Sequence, residues 1–156
     1  MDSDFPRGRL VPPLASAGLA DAPAEEPAHP DFSRLPSGAE LFGRAERERD
    51  AGNLEGAARL FGRAAGAWRT AGDVLEAADA YLELGAILLR QGRGRLLPEL
   101  ASRLLVLTEI KPQRRGTRLN LKVYAVLIAR GEENQEAFLG LVQERRLFRH
   151  RLARAS

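Results

Sequence analysis

The chain of 156 residues contains no cysteine, which excludes disulfide scaffolds, thiolate zinc sites and cysteine nucleophiles together. Histidine is almost as scarce. His29 and His150 are the only two, and neither is expected to bind a metal or take part in catalysis. Lysine is confined to Lys111 and Lys122 against 22 arginines, a bias that reads as GC-rich coding rather than as function. No run approaches the roughly 18 apolar residues of a membrane span. The opening MDSDFPRGRL is acidic before it is basic, and two prolines interrupt the VPPLASAGLA that follows, so no signal-peptide core is read there. A soluble, cytoplasmic protein is expected.

What is present falls into two parts. Seven of the nine prolines lie in residues 1–36, where each fixes φ, removes an amide donor and biases its predecessor away from helix. The large apolar groups there (Phe5, Leu10, Leu14, Phe32 and Leu35) have no period. Such a stretch cannot offset its ordering entropy by burial, so residues 1–36 are expected to form a disordered, Pro-rich arm. Three arginines against six acids leave the arm at −3, tied to a basic body over residues 37–156. Its sharpest feature is PDFSRL, with Phe32 and Leu35 as anchors for a linear motif or for docking on the body.

From Ser37 the punctuation is helical. Ser37 with Glu40 makes a capping box, Asp73 with Glu76 its acidic counterpart, and Asn53 a third cap. Gly52, Gly72 and Gly92 recur every 20 residues as helix terminators, with Gly131 in a matching place. AGNLEGAARLF (51–61) lies over AGDVLEAADAY (71–81) with glycine, cap, paired alanines and aromatic in register. One helix and one turn, repeated, is the mark of a helical repeat array. The helices are read as 38–51, 54–70, 74–91, 97–110, 117–130 and 134–152. Leu54, Ala57, Ala58, Phe61, Ala64, Ala65 and Trp68 form a single stripe at helical spacing. The next helix has a wider apolar face, as an inner element of a stack would. A buried Trp68 would lose about 3–5 kcal/mol on truncation to alanine.

These residues resemble a tetratricopeptide-repeat protein. The first hairpin carries Ala45, Gly52-Asn53-Leu54, Ala57, Phe61 and Ala64; the second carries Tyr81, Leu84-Gly85, Leu88 and Gly92. Leu97 and Leu104 depart from the alanines expected in the return helix, and Tyr124 replaces a small residue in the third hairpin. Hairpins of about forty residues exceed the family's roughly 34, marking a long or degenerate variant. The resemblance implies an all-α, right-handed stack of about three helical hairpins, an α-solenoid, preceded by the disordered arm. It also implies a concave groove for a peptide or partner helix. By position the groove would be lined by Phe42, Glu46 and Arg49, then Asp79, Leu82 and Glu83, then Arg118, Leu121 and Lys122. Acids at 46, 79 and 83 argue against the family's carboxylate clamp.

No nucleophile, base and orienting group assemble, and QGRGR (91–95) lacks the lysine, hydroxyl and preceding strand of a phosphate loop. Neither an enzyme nor a cofactor is expected. Charge is uneven: residues 37–109 carry net −1 and 110–156 net +7. Arg145, Arg146, Arg149, Arg151 and Arg154 form the C-terminal basic patch, read as solvated surface, a site for an acidic partner, or a phosphate-binding face. Leu147, Phe148 and Leu152 are candidates for covering an open end of the stack. Two functions therefore stand. One is a bacterial adaptor, scaffold or assembly factor binding a protein partner in the groove. The other is a regulator that touches nucleic acid through the last helix.

Overall fold

A computed structural model of the chain describes residues 35–110 and 113–155. The arm, apart from Leu35 and Pro36, lies outside the described residues. Within them the protein is all-α, with no strand. Six helices follow one another: α1 (Gly38–Asp50), α2 (Leu54–Ala71), α3 (Val74–Arg90), α4 (Leu97–Val106), α5 (Arg115–Ala129) and α6 (Gln135–Ala155). Short 3₁₀ turns at Gly94–Leu96 and Leu107–Glu109 flank α4.

Local chemistry sets most of these boundaries. The Ser37 amide donates to Glu40 Oε1 at 2.9 Å while the Glu40 amide donates to Ser37 Oγ at 3.1 Å, so the capping box starts α1. Asn53 Oδ1 accepts from the Gly56 amide at 3.1 Å and starts α2. Asn134 serves α6 in the same way through the Ala137 amide. Asp73 differs from expectation: it stands at the head of α3, but its side chain makes no cap hydrogen bond. Gly52, Gly72 and Gly92 take φ of 90°, 84° and 72°, the left-handed conformation that closes the helices before them. Gly131 is not of that kind. A Cβ there would lie 2.9 Å from Leu97 Cδ1 and 3.2 Å from Phe138 Cδ2, so this glycine admits close packing instead.

In chain order α1 packs on α2, α2 on α3, and α4 on α5. α3 lies at the centre and also meets α4, α5 and α6, which explains why it is buried nearly all round. The alanines of α2 and α3 let these backbones approach closely, and Phe61 and Tyr81 fill the remaining space without exposure. Trp68 is only partly buried. Its ring covers Gly38 and stands 5.4 Å from the Phe42 ring, so its truncation removes less buried area than a core position would.

The third pair is where the fold departs most from a run of closed hairpins. α6 does not lie back along α5 as α2 lies along α1; it leans against α3. Its inward stripe begins with Phe138, Leu141 and Val142, all buried. Leu147, Phe148 and Leu152 keep 47%, 41% and 54% of their exposure.

Candidate functional site

The face that α6 meets is built from successive turns of α1 and α3. Asp79 and Glu83, four residues apart, point the same way from α3, whose other buried residues are all apolar or small. They are 4% and 1% exposed, and charge at that depth requires partners. Those partners come from α6, where Arg145 and Arg149 continue the inward stripe and Arg146 stands beside it.

Arg145 grips Asp79 with two hydrogen bonds, Nε to Oδ1 at 2.8 Å and a terminal nitrogen to Oδ2 at 3.2 Å. Arg146 grips Glu83 likewise, at 2.7 Å to each oxygen. Arg149 reaches both acids, Glu83 Oε2 at 2.9 Å and Asp79 Oδ2 at 3.4 Å. From the opposite side Arg49 of α1 donates to Glu83 Oε1 at 2.9 Å and bonds Asp50 at 3.0 Å. Aromatic rings back the arginines. Arg149 lies 4.9 Å from the Phe42 ring centre, Arg145 lies 4.6 Å from that of Phe148, and Phe42 meets Phe61 edge-on at 5.0 Å. The result is a polar seam joining α1, α3 and α6.

Burial pushes the Glu83 carboxyl upward, but the hydrogen bonds and charge of Arg146, with Arg49 and Arg149, outweigh it and hold the group below its ordinary value. Hydrogen bonding to Asp79 likewise raises the Arg145 guanidinium against the downward pull of burial. For a carboxyl depressed in the folded state, the stabilisation is full above its unfolded pKa and is lost as pH falls through the folded one. Acid should therefore open the seam from the carboxylate side. Trp68, next to Phe42, is a natural fluorescence probe. On titration downward from neutral, its emission should stay constant until the carboxylate range and then change together with loss of amide protection in α6. A midpoint near the ordinary histidine value would contradict this assignment.

The sequence-derived groove residues separate into groups. Phe42, Glu46 and Arg49 of α1 and Asp79 and Glu83 of α3 surround α6, whereas Leu82 and Leu121 are buried core residues. Arg118 and Lys122 are exposed on α5. The basic patch divides as well: Arg145, Arg146 and Arg149 turn inward to carboxylates, while Arg151 and Arg154 stay exposed beyond the seam. Clefts of about 600 Å³ and 280 Å³ remain beside α6, and Arg49 and Arg146 border both. Within the described residues no cluster of His, Asp and Glu side chains could hold a metal ion, and no helix is long and apolar enough to cross a membrane.

Fold and site together define an all-helical protein whose last helix is ion-paired across an inner face of the other helices. No protein-family model, curated protein or solved structure matches the chain.

Proposed function

We propose that the chain is a non-enzymatic protein-interaction module: a TPR-like stack of three long hairpins, right-handed, that works as an adaptor, scaffold or assembly factor. Its binding surface is the α1–α3 face, and its ligand is an amphipathic helix or peptide with apolar residues followed by arginines. One observation carries this reading. The face already holds such a segment, α6, by a short apolar stripe and three guanidinium groups. The left-handed glycines at 20-residue intervals support the repeat architecture. The phosphate-binding alternative is weakened, because three of its five arginines are spent on carboxylates.

The test unseats α6 within the full chain by the triple substitution Arg145→Glu, Arg146→Glu and Arg149→Glu. A labelled peptide spanning residues 134–155 is then added to this variant and to the wild type. The variant should bind the peptide, with new amide protection in 42–49 and 79–86, and the wild type should bind it at least about tenfold more weakly, because its own helix competes. Equal binding to both, or protection elsewhere, would reject the reading.

A further inference from the structure

Among the described residues, no element covers the side of α5 that faces away from the other helices. Its buried residues are Leu121, Tyr124, Ala125 and Ile128, all on the face toward the rest of the fold. The other half of the helix presents Leu119, Val123 and Val126 at 60%, 46% and 55% exposure. Their spacing of i, i+4 and i+7 makes one continuous apolar stripe about 10 Å long. Leu105 and Val106, at the end of α4 where the chain turns toward α5, are exposed as well. Isolated exposed leucines and valines need no explanation, but a stripe aligned along one face of a helix does.

The charge beside the stripe shows what would cover it. Between Lys111 and Arg130 the sequence contains no Asp or Glu. Helical spacing places Arg115, Arg118 and Lys122 together along one edge of the stripe, and all three are exposed. No carboxylate among the described residues pairs with them; this contrasts with Arg145, Arg146 and Arg149, all of which are paired. A second copy would bring the same cations against themselves, an unfavourable arrangement. Nucleic acid would leave the apolar stripe unused, and among the described residues no exposed aromatic side chain on α5 could stack on a base. A membrane-surface helix of this kind ordinarily carries bulky aromatic anchors, where this stripe has one leucine and two valines.

We infer that the outer face of α5 docks an acidic amphipathic helix of a partner protein, its apolar stripe on Leu119, Val123 and Val126 and its carboxylates along Arg115, Arg118 and Lys122. This surface is separate from the α1–α3 face, so it stands whether or not that face binds in trans.

The probe is a designed amphipathic peptide of about five helical turns, with leucines on one face and glutamates elsewhere. A control peptide keeps the leucines and replaces every glutamate by lysine. Binding to the full chain is followed by fluorescence anisotropy and amide exchange. The acidic peptide should bind at least about tenfold more tightly than the basic one, protect 115–126, and weaken as salt rises. Val123→Asp should abolish binding, and Arg118→Glu with Lys122→Glu should reverse the preference between peptides. These positions are exposed, so the circular dichroism and thermal midpoint of each variant should match the wild type. Equal binding of both peptides, protection confined to α1 and α3, or indifference to Val123→Asp would overturn the inference. So would capture of the wild-type chain by phosphatidylserine vesicles, or concentration-dependent self-association, if Val123→Asp abolished either.

Discussion

Glu83→Ala should destabilise the protein by about 3 kcal/mol and free the second half of α6. The side chain is 1% exposed and receives hydrogen bonds from Arg49, Arg146 and Arg149. Removing it leaves cations facing one another over an emptied space, and that repulsion rather than the lost bonds sets the cost. The figure is at the lower end for a buried pair because the three arginine side chains keep 14%, 32% and 23% of their exposure and can turn toward water. Urea unfolding gives the energy, and amide exchange along 143–155 locates the loosening. A change below about 1 kcal/mol would put the seam in the class of exposed ion pairs. Unchanged protection of α6 would show that the arginines do not hold it.

Phe138→Ala should cost about 3–5 kcal/mol and free α6 from its beginning. The ring is fully buried, and it sits so close to α3 that a Cβ at Gly85 would lie 2.8 Å from its Cζ. Gly131 approaches it from the other side. A cavity here lies between α3, the turn after α5 and the first turns of α6, where rigid backbone cannot collapse to fill it. The two substitutions separate the helix into a packed root and a charged end. Phe138→Ala should lower protection throughout 135–155; Glu83→Ala should spare the root. Equal effects along the whole helix from both would mean that α6 docks as one rigid unit.

The helices were legible because their signals are local. Ser37 and Glu40, Asn53, the glycines at 52, 72 and 92, and stripes at helical spacing each act within a turn or two of chain. The alternative for Gly131 was illegible for the opposite reason, since its role depends on Leu97, far away in sequence. The seam lies in the same category. Arg146 and Glu83 are 63 residues apart, and a run of arginines has the same composition whether it faces water or a carboxylate. One signal was present. Asp79 and Glu83 interrupt the otherwise apolar stretch 77–89 of α3, and buried acids there demand cations from another element. The arginines at 145 and 149 extend the Phe138, Leu141 and Val142 stripe of α6, which marks them as inward-facing.

The sharing of partners within the seam makes its mutational tolerance lopsided. Asp79 is served by Arg145 and Arg149, and Glu83 by Arg49, Arg146 and Arg149. Loss of any one arginine leaves both acids with a guanidinium, whereas loss of Asp79 or Glu83 takes from Arg145 or Arg146 the ion-pair partner it has among the described residues. Replacing a single arginine should therefore cost less than replacing either acid, because positions 79 and 83 have no understudy.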